Sequence, residues 1–150
     1  MRRIFVCIFI AMTMLGADLT PALAQRSLMG TLYSSGVKAY EKGNYRDALR
    51  IFRQCEEMAK TTRHSQGEKA YLLYSVAETL RCTGQLKESE DYYKQVIAVV
   101  DALPARQRSY VLVFNGLALL YQAQGKFTEA ETLLKQSEES SRKGDPNSAY

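Results

Sequence analysis

The sequence predicts an all-α fold, specifically an α-solenoid of three antiparallel helix pairs. Gly43, Gly84 and Gly125 stand 41 residues apart along the chain. After each glycine, apolar residues recur at three- and four-residue spacing, which is typical of an amphipathic helix. A unit of this size copied at a fixed period indicates a repeat array, because one helix pair cannot bury its apolar face alone.

Each helix pair is expected to turn at its glycine. A helix commonly ends on a residue in the left-handed conformation, which a Cβ atom penalises and glycine tolerates. Small residues stand at fixed positions on either side of each glycine, where the two helices of a pair must approach closely. These positions are Gly36, Ala77 and Ala118 before Gly43, Gly84 and Gly125, and Ala48, Ser89 and Ala130 after them.

Capping residues mark where the helices begin. Asn44 follows the first glycine and is expected to cap the second helix of the first pair. Ser65 with Glu68 has the spacing of a capping box for the next pair. Pro104 suits the first turn of the third pair, where its missing N–H donor costs nothing.

The motif from Asn115 to Glu131 resembles a tetratricopeptide repeat, and most closely the type found in kinesin light chains. The resemblance covers roughly residues 28–143 and implies repeats at about 28–68, 69–109 and 110–150. The second copy departs from the common pattern, because Ser89 replaces the usual alanine and Leu86 the usual aromatic residue. With residues 25–150 as one repeat domain, the resemblance implies a right-handed α-solenoid and a protein or peptide partner.

Residues 1–24 have the three parts of a secretory signal peptide. Arg2 and Arg3 precede an apolar run from Ile4 to Gly16, and Ala22-Leu23-Ala24 forms a small-x-small cleavage site. The apolar run is shorter than the roughly 20 residues that a bilayer span needs. We therefore expect cleavage after Ala24, no stable membrane span afterwards, and an exported protein that is periplasmic or secreted.

Export implies an oxidising compartment, so Cys55 and Cys82 are candidates for a disulfide. In an antiparallel array, Cys55 falls late in one helix and Cys82 at the far end of the next. The two should lie about 10–15 Å apart along the helix axes, too far to form a bond. We predict two free thiols, with Cys55 a small core residue, Cys82 turned toward the inner surface, and the role of Cys82 left open.

Composition argues against several classes of function. His64 is the only histidine, so a histidine-based catalytic triad or a multi-histidine metal site is excluded. The net charge of +4 is spread along the chain rather than gathered into a basic stripe, which argues against nucleic-acid binding. We predict a protein that is not an enzyme, with no cofactor and no metal.

The resemblance implies that one face of each pair's first helix lines an inner, concave surface that receives the partner. Tyrosine suits such a surface because its ring offers apolar area and its hydroxyl can bind polar groups. The resemblance assigns Asn115 to the ligand backbone, and Arg81 offers a charge for an acidic ligand group. The implied residues are Tyr33, Val37, Tyr40 and Glu41 in the first copy, Tyr71, Tyr74, Glu78, Arg81 and Cys82 in the second, and Leu112, Asn115, Leu119, Gln122 and Ala123 in the third.

The segment from Gly144 to Tyr150 reads like the link into a further copy, and no polar capping helix follows the third pair. Three hypotheses follow. The leading one is an exported, non-catalytic scaffold that binds a peptide or protein. The others are a structural protein that forms a homo-oligomer through its uncapped C-terminal end, and the N-terminal repeat portion of a longer exported enzyme or sensor.

Overall fold

The computed structural model describes residues 19–104 and 107–144, and within these ranges the chain is all-helical. Six α-helices account for most of the described residues. They are α1 (Leu19–Glu41), α2 (Tyr45–Ala59), α3 (Gln66–Cys82), α4 (Leu86–Asp101), α5 (Val111–Ala123) and α6 (Phe127–Gly144). None of them is both long and apolar enough to cross a membrane.

The helices form three hairpins, α1 with α2, α3 with α4 and α5 with α6, and each hairpin is the most extensive contact that its helices make. Consecutive hairpins pack through α2 on α3 and through α4 on α5. The core accordingly has two parts, one centred on Phe52 and Val76, the other on Tyr93 and Leu117. This arrangement agrees with a helical repeat array, while its right-handed sense stays a prediction.

The three predicted glycine turns are confirmed. Gly43, Gly84 and Gly125 have positive φ angles of 76°, 80° and 76°. At the first turn, the N–H of Asn44 donates to the carbonyl of Ala39, and the N–H of Gly43 donates to the carbonyl of Tyr40, both at 2.9 Å. The other two turns repeat this pair of bonds, which is the Schellman motif that ends a helix on glycine.

The small positions predicted between paired helices are buried, as expected. Ala48, Ala77, Ala118 and Ala130 are each at most 1% exposed, and Gly36 and Ser89 are buried too. Ser89 stands where the common pattern has alanine, and its hydroxyl donates to the carbonyl of Ala77 at 2.7 Å. A serine is therefore tolerated at a tightly packed site where its polar group finds a partner.

Two of the three capping predictions need correction. The Ser65–Glu68 capping box is present in full. Asn44 occupies the N-cap position of α2, but its side chain makes no capping hydrogen bond. Pro104 lies outside the helices of the described residues, because α5 begins only at Val111, too far along the chain for the proline to stand in its first turn.

The chain termini bear on two predictions that stay predictions. Helix α1 runs through the predicted cleavage site at Ala24, and most of the predicted signal peptide, residues 1–18, lies outside the described residues. Residues 145–150, predicted to begin a link to a further copy, also lie outside them.

Cys55 is fully buried and Cys82 half-buried, and both are free cysteines.

Candidate partner-binding face

Four of the predicted inner-face residues surround one cavity between the first two hairpins. Val37 and Tyr40 on α1 face Tyr74 and Glu78 on α3 across a space of about 200 Å³. Phe52 and Ser75 complete its wall. The first helices of neighbouring hairpins thus bring residues that are far apart in sequence to one surface.

Two tyrosines on α1 tie the first hairpin to the second. The hydroxyl of Tyr33 lies 2.8 Å from Ser75 Oγ, and its ring packs on Phe52 with 5.4 Å between centroids. The hydroxyl of Tyr40 donates to Glu78 Oε2 at 3.4 Å. Burial, with the nearby Cys82 thiol and Glu78 carboxylate, raises the pKa of Tyr40 above its ordinary value. Both tyrosines therefore hold the two hairpins in register.

Glu78 is the most enclosed charge on this face, at 8% exposure. One carboxylate oxygen accepts a hydrogen bond from the hydroxyl of Tyr93 on α4. The other accepts from Arg81 at 2.8 Å and from Tyr40. These donors satisfy the buried carboxylate, as a buried charge requires. Glu78 and Arg81 are thus paired with each other, and their contact with a partner stays a prediction.

A glycine on α5 completes this cluster from the third hairpin. A Cβ atom on Gly116 would lie 2.5 Å from Glu78 Oε1 and 2.6 Å from the Tyr93 hydroxyl oxygen. Only a hydrogen atom fits there, so α5 approaches the Glu78–Tyr93 pair directly. Neither Tyr93 nor Gly116 is among the residues predicted for the inner face. The signal was present, since Tyr93 introduces a hydroxyl where the other copies carry Phe52 and Leu134.

The remaining predicted residues form an open part of the face. Tyr71 is 60% exposed, and the apolar side chains of Leu112 and Leu119 are also exposed. Tyr71, Tyr74 and Leu112 meet at a cleft between the second and third hairpins. The other predicted residues here are exposed on the ends of α1 and along α5, and they line neither this cleft nor the Glu78 cavity: Glu41, Asn115, Gln122 and Ala123.

Tyr74 lies between these two regions, and its partial burial changes the pKa of its hydroxyl. Tyr74 lines both the Glu78 cavity and the cleft with Leu112. Its ring meets Tyr93 edge-on at 6.1 Å between centroids. Burial, with the charge of Glu78 next, raises the pKa of Tyr74 to about 12. Tyr74 is therefore a neutral phenol at physiological pH, and its half-buried ring lies between the two regions.

The hairpin stack, its glycine turns and its small interhelical residues agree with a comparison of the sequence with protein families. The family model described as Tetratricopeptide repeat matches residues 68–143. The chain belongs to the tetratricopeptide-repeat family. The match takes in nearly all of α3 to α6, and α1 with α2 precedes it with the same hairpin and turn. Tetratricopeptide repeats typically mediate protein–protein interaction, which suits the open inner face.

Comparisons with curated proteins and with solved structures gave no significant match. The family assignment of the tetratricopeptide-repeat chain therefore rests on the repeat motif itself.

Proposed function

We propose that this tetratricopeptide-repeat protein is an exported, non-catalytic adaptor that binds a peptide or protein segment on its inner face. The observation that carries the proposal is the exposure of Tyr71, Leu112 and Leu119 next to the exposed amide of Asn115. Large apolar side chains that stay in solvent beside polar groups mark interaction surfaces. Because tetratricopeptide repeats typically mediate protein–protein interaction, a protein or peptide is the partner that this surface favours.

The chemistry of the face suits an extended segment. The apolar side chains supply contact area, and the amide of Asn115 offers a donor and an acceptor to a ligand backbone. Behind them, the Glu78–Tyr93 bond and the Tyr33–Ser75 bond fix α3 against its neighbours. A face held in place before binding loses less entropy when a partner docks.

The experiment is affinity capture from an envelope extract or culture supernatant, comparing the native chain with a Tyr71→Ala, Asn115→Ala double variant. Both substitutions are at exposed positions, so the helical circular dichroism should not change. A matched control is Gln54→Ala with Gln95→Ala, which makes two alanine substitutions at exposed positions of α2 and α4 instead. A partner retained by the native chain and the control but lost by the double variant supports the proposal, and capture that is the same for all three contradicts it.

Export is the part of the proposal that rests on sequence alone, on Arg2, Arg3 and the Ala22-Leu23-Ala24 site. Cell fractionation, followed by N-terminal sequencing of the recovered protein, tests it. We expect the protein outside the cytoplasm with Gln25 as its first residue. Recovery in the cytoplasm with an intact N-terminus contradicts export, and it leaves the adaptor function of the face untouched.

A second candidate function, self-association through the C-terminal hairpin, has one specific observation in its favour. Phe52 and Tyr93 are at most 1% exposed because a following hairpin covers them, whereas Leu134, at the same repeat position, is 43% exposed. Phe127 on the same helix is 69% exposed. The proposed occupant is a second copy of the chain. Sedimentation should then show a concentration-dependent mass that Leu134→Glu abolishes, and a constant monomer mass contradicts self-association.

A further inference from the structure

Two clefts occupy equivalent positions in the repeat, one between each pair of neighbouring hairpins. The first cleft lies between α1, α2 and α3, and the second between α3, α4 and α5. Most of the second cleft's residues stand at the positions of the first cleft's residues plus one repeat, as Tyr74 does for Tyr33. The first cleft encloses about 350 Å³ and the second about 140 Å³.

Three substitutions between the copies leave more space in the first cleft, although other positions, such as Met29 opposite Ala70 in the repeat, carry the larger side chain there. Gly30, Cys55 and Ala59 line the first cleft, and Tyr71, Val96 and Val100 take their places in the second. Each residue of the first set is smaller than its counterpart. At Gly30 the contrast is greatest, because a Cβ atom built there would meet nothing within 4 Å. These three positions therefore mark the part of the first cleft that side chains leave open and that larger residues would fill.

The wall of the first cleft is predominantly apolar. Met29, Tyr33 and Leu72 surround the space, and the buried thiol of Cys55 lies at its inner end. Burial raises the pKa of the Cys55 thiol to about 11, so the thiol is uncharged at physiological pH. The inner wall therefore carries no charge and matches a ligand that needs no ionic partner.

Among the described residues, the charged side chains of the first cleft stand where it meets solvent. Glu68 is exposed and its carboxylate is already paired with Arg26 at 2.9 Å. It also accepts the backbone N–H of Ser65 at 2.7 Å. Lys69 and His64 lie near it on the rim. The polar side chains of the rim can therefore bind water at the entrance. The apolar interior is a poor site for water, because a bound water molecule needs several polar partners.

We propose that the first cleft is a binding site for a compact, uncharged, apolar small molecule of two or three rings. This site goes beyond the adaptor function and does not depend on it, although Tyr33 and Tyr71 belong to both surfaces. The volume lies at the small end of the range for ligand sites. An apolar cavity of this kind gains free energy when an apolar ligand replaces the solvent at its walls.

The test is a fluorescence titration of the chain, purified as its host processes it, with the neutral probe N-phenyl-1-naphthylamine. The probe brightens when it leaves water. We expect saturable binding to the native chain and at least tenfold weaker binding to Gly30→Leu, whose side chain fills the cleft. The matched control is Lys38→Leu, which adds the same side chain to an exposed position of α1 and should change the affinity less than twofold.

A second variant keeps the test decisive if Gly30→Leu perturbs the helix. Cys55→Val with Ala59→Val copies the residues of the second cleft, and it too should weaken the probe at least tenfold. Equal binding by the native chain and both filled variants overturns the proposal, as does an absence of saturable binding to the native chain. Tighter binding of the anionic analogue 1-anilinonaphthalene-8-sulfonate than of the neutral probe overturns the assignment to uncharged ligands.

Discussion

The hydroxyl of Tyr93 on α4 donates a hydrogen bond to the carboxylate of Glu78 on α3. Tyr93 is fully buried and Glu78 nearly so. The bond fixes the second hairpin from within, directly behind the candidate binding face. Because the carboxylate is out of water, each donor lost from it leaves a desolvated charge partly unsatisfied.

Tyr93→Phe should therefore lower the free energy of unfolding by about 1–3 kcal/mol, the cost of an unsatisfied buried acceptor. The neighbouring Tyr92 provides a matched control, because its hydroxyl also binds a carboxylate, that of Glu56, at 2.9 Å but in a partly exposed setting. Tyr92→Phe should cost about 0.5–1 kcal/mol, since water can replace the lost donor. Urea denaturation measures both, and equal costs would contradict the role assigned to the buried pair.

Two glycines in helices should respond to alanine in opposite directions. Gly116→Ala places a methyl group against Glu78 and Tyr93, which cannot move aside because Tyr93 is fully buried. We expect a loss of about 1–3 kcal/mol from overpacking. Gly30→Ala meets no atom within 4 Å and should instead stabilise the fold by about 0.5–1 kcal/mol through helix propensity. Thermal unfolding of the two variants checks the signs, and a gain at Gly116 would show that the cluster is loosely packed.

Ala77 tests the packing inside the second hairpin. Its methyl group is fully buried, and its carbonyl accepts the Ser89 hydroxyl of the paired helix. Ala77→Leu should push α3 and α4 apart and cost about 1–3 kcal/mol. Ala98→Leu adds the same atoms to an exposed position of α4 and should be nearly neutral. Chemical denaturation compares them, and equal stabilities would place Ala77 outside the interhelical contact.

The positions that sequence predicts well are those set by local backbone rules. Gly43 at a left-handed helix end and Ser65 with Glu68 at a helix start need only nearby residues, and both predictions are confirmed. The buried alanines, such as Ala77 and Ala118, follow from the repeat because identical hairpins impose identical contacts. The prediction for Pro104 is wrong, because α5 begins only at Val111 and a proline marks a favourable helix start without fixing where the helix begins.

The candidate site was harder to predict because it depends on contacts between copies. From their positions on the helix, Glu78 and Arg81 are predicted to contact a partner. Helical position does not reveal that Tyr93 and Gly116, from two other helices, pack over Glu78. The larger volume of the first cleft likewise becomes apparent only when the surroundings of Gly30 and Tyr71 are compared in three dimensions. These features come from differences between repeats, whereas the repeat pattern itself carries only what the copies share.

The capping box of α3 should give the stability a pH dependence of known sign. The backbone N–H of Ser65, followed by Arg26, lowers the pKa of Glu68 from its ordinary value of 4.5 to about 2. A carboxylate with a depressed pKa stabilises the folded state fully above its unfolded pKa and loses that contribution as the pH falls through the folded pKa. The stability advantage of the native chain over Glu68→Gln should thus be largest at neutral pH and shrink between about pH 4.5 and 2.

Thermal unfolding of the native chain and Glu68→Gln at neutral pH and at several values below pH 4.5 measures this dependence. Arg26→Gln separates the two causes, because it removes the exposed ion pair and keeps the bond from the Ser65 backbone. We expect Arg26→Gln to retain most of the pH dependence, since exposed ion pairs contribute little. A difference between the native chain and Glu68→Gln that stays constant with pH would contradict a depressed pKa. Loss of the dependence in Arg26→Gln would assign it to the ion pair instead of the helix cap.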